Sequence, residues 1–408
     1  MAPTETTMLR STGTPPPPAH ASRPMPSWPA TIVTSLAMGL VFGLSFYKSH
    51  VFEPSSIRGQ FLFQKFIMLK VFFGAMGTGA LLLAGLSYFQ LPQLVSLHSL
   101  WRPTATTRGW LTGPVLGGAL LGGGMAASGA CPGMVLAAWG AGTPDSIYTI
   151  VGGLLGGLVF GWKADAIQRL VLDRGPRGPT QKEYAHESLG MPYHVLAMGL
   201  GVFCLAGCVA LEYLVPWQSE VPERLAGFMD QPTCTFGSGD FSLWNCPAWP
   251  PSIAGVLVGA LQLPAALVME TLLGSATAFA VCSSAWINLL PDVHRSSYPY
   301  FNVFGTPHPK SWWQIPYVAS AVIIAYGASK ADGDFGGATG VGFWAAFVGG
   351  FVIIFASRLG GGCTSGHGLS GCAALLVQSW IAVPAMFAGG IITAVVWQVA
   401  SNGSFFVA

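Results

Sequence analysis

Residues 358–368 read Arg358-Leu359-Gly360-Gly361-Gly362-Cys363-Thr364-Ser365-Gly366-His367-Gly368, a glycine-rich break between two strongly apolar runs, Gly342–Ala356 and Trp380–Ala400. Lipid cannot satisfy the backbone N–H and C=O groups that such a break exposes. A break at this depth is therefore tolerated only where it is buried in protein or lines a wet cavity. This one carries a thiol, two hydroxyls and an imidazole, and polar groups inside a bilayer indicate a binding or permeation site.

The composition of the chain places it in the membrane class. Of its 408 residues, 52% are hydrophobic and only 8% are charged, whereas a soluble domain carries roughly 25% charged residues. The net charge of +2 is too small to argue for a nucleic-acid partner. We therefore predict an all-α polytopic membrane protein whose surroundings are the lipid bilayer and which binds no nucleic acid.

The apolar runs predict about nine transmembrane helices together with short broken or re-entrant helices, since roughly 20 apolar residues cross the hydrocarbon of a bilayer. The run from Gly109 is broken at Cys131, because Pro132 disfavours a helical cysteine before it and suits the first turn of a new helix. A shorter run, Thr271–Leu290, adds a partial crossing. The predicted full crossings are Trp28–Tyr47, Gln64–Phe89, Gly109–Trp139, Ile147–Leu172, His194–Trp217, Pro250–Glu270, Trp312–Ser329, Gly342–Ala356 and Trp380–Ala400.

A spacing that occurs twice predicts an internal repeat. A glycine pair stands fourteen and thirteen positions before a cysteine, in Gly117-Gly118 with Cys131 and in Gly349-Gly350 with Cys363. A further glycine stands two positions before each cysteine. Five crossings in the first copy would invert the second, and inverted repeats with broken helices are a transporter architecture.

The repeat and the distribution of polar residues predict the organisation of the chain. Lys and Arg are concentrated in the loop after the fourth crossing, which predicts that this loop and the N-terminus are cytoplasmic. The predicted location is the plasma membrane, as a multi-pass integral protein. The predicted units are a disordered cytoplasmic tail (1–27), a first transmembrane repeat (28–217), a polar extracytoplasmic loop (218–248) and a second transmembrane repeat (249–408). The sequence does not decide whether Cys234 and Cys246 in the extracytoplasmic loop form a disulfide.

Two motifs, Gly129-Ala130-Cys131-Pro132-Gly133 and residues 361–368, resemble the paired signatures of the YeeE/YedE family, membrane proteins associated with uptake of thiosulfate or related sulfur compounds. The resemblance spans nearly the whole chain after residue 28. It implies an hourglass-like helical unit with cysteines in central constrictions, where thiols pass thiosulfate along. By position, Cys131 and Cys363 match the motif cysteines of the family. Members often have a further functional cysteine, for which Cys282 is the candidate.

The residues and the resemblance together predict a facilitator or permease for thiosulfate or a similar small sulfur anion, with no cofactor and no metal. A sulfur-carrier protein on the cytoplasmic side is a candidate partner. Glycines permit close backbone approach to an anion, and a neutral thiol is a weak donor suited to a polarisable terminal sulfur. The predicted substrate-binding residues are Cys131, Gly133, Cys282, Gly362, Cys363, Thr364, Ser365, Gly366 and His367.

Half-helices are expected to begin at Pro132 and just after Gly368, so that their N-terminal N–H groups face the anion. Thr364 and Ser365 either contact the anion or cap the following helix. His367 is a candidate for a substrate contact, a proton-linked switch or a cap of the following helix.

Two other functions compete with transport. Cys363 as nucleophile and His367 as base would make a membrane-embedded sulfur-transfer enzyme, although the glycines argue against a helix that would join them and no third group orients the histidine. A metal site from Cys363, His367 and Cys372 has loose spacing and no evident fourth ligand.

Overall fold

The computed structural model describes residues 27–89, 111–172, 184–229, 234, 246–295 and 297–401. Across these residues the chain is helical and holds no β-strand, only an isolated bridge between Tyr184 and Leu376. Nearly all of the predicted 1–27 tail lies outside the described residues, as does most of the second half of the predicted 218–248 loop.

The main helices are numbered here in chain order. They are α1 (Trp28–Lys48), α2 (Pro54–Phe61), α3 (Ile67–Tyr88), α4 (Thr112–Ser128), α5 (Met134–Gly140), α6 (Ser146–Ile167), α7 (Tyr193–Leu214), α8 (Pro251–Ala260), α9 (Gln262–Val268), α10 (Ala276–Ser284), α11 (Gln314–Ala331), α12 (Phe343–Gly360) and α13 (Val377–Ala400). Shorter helical segments are Gln168–Leu172, Ala185–Leu189, Trp217–Glu220, Glu223–Leu225, Ala226–Met229, Ala285–Leu289, Asp292–Arg295, Pro299–Gly305, Pro309–Trp312 and the π-helical Thr364–Gly371.

Within the described part of the chain, seven helical stretches are long and apolar enough to cross a membrane, and they are α1, α3, Ser146–Leu172, α7, Pro251–Val268, α12 and α13. The other two predicted crossings correspond to α4, with 17 residues, and α11, with 18. Helix α4 packs against α12 and α13, and α11 packs against α1. The prediction of an all-α polytopic membrane protein is confirmed.

The helices pair reciprocally between the two predicted repeats. Helix α1 packs on α11 while α3 packs on α8, and α4 packs on α13 while α6 packs on α12. The two helices that lead into the motif cysteines, α4 and α12, pack directly against each other. This exchange is what two inverted copies would produce, so it supports the repeat hypothesis.

Glycines permit the close approach of α4 and α12. A Cβ added to Gly117 would lie 2.4 Å from Gly360 Cα, and a Cβ added to Gly349 would lie 2.7 Å from Ser128 Cβ. Gly360 and Ser128 each stand three positions before a motif cysteine. The repeated glycines therefore mark the two places where one broken helix packs on the end of the other, as small residues do between membrane helices.

The described part of the 218–248 loop is tied to the helical body. Cys234 and Cys246, left open by the sequence, form a disulfide with Cα atoms 5.2 Å apart. Arg224 donates to Asp334 at 2.6 Å and also pairs with Glu53, the residue before α2. The loop thus contributes a cation that holds the start of α2 in place.

Electrostatics at Glu53 strengthen this attachment. Burial alone would raise the pKa of the Glu53 carboxyl, but the hydrogen bond and charge of His50 and the charge of Arg224 lower that pKa to about 2. We therefore expect this pairing to contribute to stability above the depressed pKa and to be lost as the pH falls through it, because protonation neutralises the carboxylate.

Replacing Gly122 in α4 by alanine is expected to destabilise the protein. Its Cβ would lie 1.8 Å from the backbone oxygen of Met386 in α13, and overpacking of this kind costs about 1–3 kcal/mol. Gly199→Ala in α7 is the matched control, because a Cβ there meets nothing within 4 Å. Thermal unfolding of the purified variants in detergent compares them. Equal melting temperatures for both variants would contradict this account of the crossing.

Candidate functional site

Each motif cysteine follows a helix that ends at a left-handed glycine. Helix α4 ends at Ser128 and is followed by Gly129 at φ +61°, and α12 ends at Gly360 and is followed by Gly361 at φ +82°. Glycine is the residue that adopts this conformation at little cost. The matched glycines two positions before each cysteine therefore end the two helices in the same way.

A new helical segment begins close after each cysteine. The Cys131 carbonyl accepts from the Val135 N–H at 3.1 Å, and the Cys363 carbonyl accepts from the His367 N–H at 2.7 Å. The second segment is π-helical over Thr364–Gly371. The expectations that glycines keep this stretch non-helical, and that the half-helix starts after Gly368, were wrong. Buried backbone groups must be paired within the protein, and this requirement outweighs the low helix propensity of glycine.

The two motifs line one narrow cavity. The polar or small residues around it are Cys131, Gly133, Thr364 and Ser365. Its volume of about 30 Å³ is enough for one or two water molecules. The rest of the lining is apolar and consists of Phe42, Phe46, Val51, Met68, Val71, Phe72, Met134 and Leu369.

Ser365 connects the Cys363 thiol to this cavity. Cys363 Sγ lies 3.2 Å from Ser365 Oγ, and that oxygen also accepts from the Ser275 N–H at 3.2 Å. A Cβ on Gly133 would lie 2.8 Å from Ser275 Oγ, so the glycine allows the first motif to approach this cluster. Cys131 and Cys363 are 5% and 2% exposed and belong to the same buried cluster. Both motif cysteines thus belong to one buried cluster, in which Cys131 lines the cavity and Cys363 contacts the lining residue Ser365.

Thr364 lies among sulfur atoms. Its hydroxyl is 3.1 Å from Met125 Sδ and 3.4 Å from Met386 Sδ, within range of donating to either. Sequence reasoning missed these two methionines, because a methionine in an apolar helix has no pattern that separates it from ordinary core packing. Gly366 also lies in this region, since a Cβ there would be 3.8 Å from Cys363 Sγ. The second motif is therefore surrounded by polarisable sulfur.

Both ring nitrogens of His367 have protein partners. Nε2 lies 3.1 Å from the Gly360 carbonyl oxygen, and Nδ1 lies 3.0 Å from Ser379 Oγ. A carbonyl oxygen can only accept, so Nε2 carries a proton. A Cβ on Gly362 would lie 2.9 Å from the imidazole, so the glycine lets the ring fold back over the end of α12. His367 joins the ends of α12 and α13.

The arrangement does not form a Cys/His pair. Within the described ranges, Cys363 has Ser365 as its hydrogen-bond partner, and the imidazole of His367 is bonded to Gly360 and Ser379. The same ranges contain no group of three His, Cys, Asp or Glu side chains that could hold a metal ion.

Cys282 lies apart from the other two predicted cysteines. It is exposed on α10, and it is neither among the residues that line the cavity nor in the buried cluster. Its neighbour Ser283 packs toward Gly157 of α6. A role for Cys282 in binding stays a prediction, and such a role would have to lie outside the cavity.

A narrow cavity at two broken helices, enclosed by membrane-crossing helices, is typical of a polytopic transport protein. The chain belongs to the sulphur transport family, the YeeE/YedE family, whose family model matches residues 48–392, most of its length. The resemblance inferred from the two motifs is thereby confirmed. No curated protein matches the chain. The protein is accordingly a sulfur-related membrane transporter.

His367→Ala is expected to lower the stability of the folded protein. The substitution leaves the Gly360 carbonyl and the Ser379 hydroxyl without their imidazole partner, and a buried unsatisfied group costs about 1–3 kcal/mol. Ser379→Ala removes only one of the two bonds and should cost less. Melting temperatures in detergent measure both effects. An unchanged melting temperature in His367→Ala would show that the imidazole does not join the two helix ends.

Proposed function

We propose that this transporter takes up thiosulfate or a closely related small sulfur anion, and that Cys131 and Cys363 bind the sulfur end of the anion in succession. The observation that carries the proposal is the shared cavity. Cys131 lines it directly, and Ser365, which contacts the Cys363 sulfur at 3.2 Å, lines it from the second motif. An anion in this cavity would meet the Cys131 thiol directly and would reach the Cys363 thiol past Ser365.

The chemistry of the lining suits a soft anion that must also leave. A neutral thiol donates a weak hydrogen bond, and the hydroxyls of Thr364 and Ser365 add donors for oxygen atoms. A permeation site has to bind weakly and in several steps, since tight binding would prevent release. A thiolate would repel the anion, so the proposal requires protonated thiols.

The cavity also explains how the pathway would stay closed without substrate. Its volume of about 30 Å³ accommodates one or two waters, which is less than thiosulfate needs. The aromatic rings of Phe42, Phe46 and Phe72 form part of the lining. Movement of these rings would open the cavity for the anion, in the manner of hydrophobic constrictions that gate by dewetting.

The competing function, a sulfur-transfer enzyme, has weaker support. A general base must reach the proton that it removes, and the His367 nitrogens are bonded to Gly360 and Ser379 instead.

Transport in the plasma membrane, with a cytoplasmic N-terminus and delivery to a cytoplasmic sulfur-carrier protein, completes the proposal. The charge distribution of the loops supports this orientation.

Uptake of radiolabelled thiosulfate into proteoliposomes that contain only this protein tests the proposal. Cys131→Ala and Cys363→Ala should each lower the initial rate about tenfold, the effect of losing roughly 1.4 kcal/mol of binding. Cys208→Ala is the matched control, because this buried thiol bonds to the Lys70 carbonyl at 3.4 Å, away from the cavity. Wild-type rates in both motif variants would refute the thiol hand-off. Uptake of sulfite but not of thiosulfate by the wild type would refute the substrate.

A further inference from the structure

The two helices that precede the motifs have their C-terminal ends, with carbonyl groups unpaired within the helix, next to the motif cysteines. The C-terminal end of a helix carries about half a negative charge on its unpaired carbonyls. An anion that approaches a motif cysteine therefore meets an unfavourable helix end on the side of the preceding helix, which is α4 before Cys131 and α12 before Cys363. Some donor has to offset these carbonyls if the site is to accept a dianion.

The second motif supplies its own donor. His367 lies four positions after Cys363, and its Nε2 donates to the Gly360 carbonyl at the end of α12. The first motif, residues 129–133, contains no side chain that could do the same.

An arginine from outside the first motif takes this position at the end of α4. Arg58 in α2 donates from Nε to the Ala126 carbonyl at 3.2 Å and from Nη2 to the Ala127 carbonyl at 2.7 Å. The residue is 3% exposed, and its guanidinium lies 5.5 Å from the ring centre of Trp397. Arg58 is thus a buried cation that bonds to the last carbonyls of the helix before Cys131.

Helix α2 is docked so as to hold the guanidinium there. Its first residue, Pro54, packs on Gly129, where an added Cβ would lie 2.5 Å from Pro54 Cβ. Arg58 stands four residues later, one turn along the same face of α2. The left-handed glycine of the first break and the carbonyls before it therefore contact one face of α2. The pairing of Glu53 with Arg224 fixes the start of that helix.

We infer that Arg58 is a charge-compensating positioning residue for the anion at Cys131, and that it does for the first motif what His367 does for the second. The inference rests on the proposed uptake of a sulfur dianion. The guanidinium offsets the negative end of α4, so the dianion approaches Cys131 at lower electrostatic cost. In the second half the donor to the helix end is His367, which lies within the motif, whereas in the first half it is Arg58, which lies far before the motif. Comparison of the two repeats in the sequence therefore does not identify Arg58.

The test measures thiosulfate uptake by proteoliposomes over a range of concentrations. Arg58→Gln keeps hydrogen-bond donors but removes the charge that offsets the helix end, and it should raise KM about tenfold, which corresponds to roughly 1.4 kcal/mol. The maximal rate per folded protein should change less than KM. Arg58→Lys restores the charge and should keep KM within about threefold of wild type.

Lys65→Gln is the matched control. It removes a positive charge seven positions from Arg58 that contacts only the Ser55 hydroxyl, at 3.3 Å, among the hydrogen bonds of the described residues. Its KM should stay at the wild-type value. An equal rise in KM for Lys65→Gln and Arg58→Gln would overturn the inference, because the effect would then not depend on the helix end.

Three other results decide the matter. An unchanged KM in Arg58→Gln overturns the inference while leaving thiosulfate transport intact. A tenfold rise in Arg58→Lys also overturns it, and this variant carries the test alone if Arg58→Gln does not assemble. If the wild type shows neither uptake nor a thiosulfate-dependent rise in melting temperature, the proposed function fails, and the inference fails with it.

Discussion

The structure depends on one constraint, which is that hydrocarbon cannot hydrogen-bond to the peptide backbone. A chain that interrupts two membrane helices at glycine has to satisfy every exposed N–H and C=O group inside the protein. Helices α4 and α12 end at left-handed glycines, new helical segments begin within a few residues, and side chains of Arg58 and His367 bond to the carbonyls left over. The cavity lies between the two motifs whose backbone groups are paired in this way.

The same constraint explains why the two breaks lie side by side. A break is stable only where it is enclosed by protein, and the reciprocal packing of helices between the two halves encloses both. Glycines at the crossings allow this, because Gly117 and Gly349 admit the end of the opposite broken helix at contact distance. The glycine-mediated packing of the two halves therefore also places the two thiols in one buried cluster. In this structure the constriction has room for little more than water.

The assignment of roles within the second motif follows from hydrogen-bond partners. Each ring nitrogen of His367 has a protein partner, so the imidazole holds two helix ends together. Thr364 and Ser365 both line the cavity, where Ser365 contacts the Cys363 sulfur and Thr364 also contacts two methionine sulfurs. A motif of adjacent residues thus divides into a structural side and a side that faces the cavity. That division is compatible with passage of a soft anion and gives little support to a nucleophile activated by a base.

Sequence alone determined the membrane class, the crossings, the two matched breaks and the family, because apolar length, glycine spacing and the motif cysteines are local properties that need no partner. It also identified Cys131 and Ser365, which line one cavity, and Cys363, whose sulfur contacts Ser365. Only the tertiary structure decided which side chains complete the site. From other helices, Met125 and Met386 reach Thr364 and Arg58 reaches the end of α4, and no local pattern distinguishes these three residues from packing residues. The helical form of residues 364–371 was likewise a tertiary outcome, because burial forced pairing on backbone groups that glycine would otherwise leave flexible.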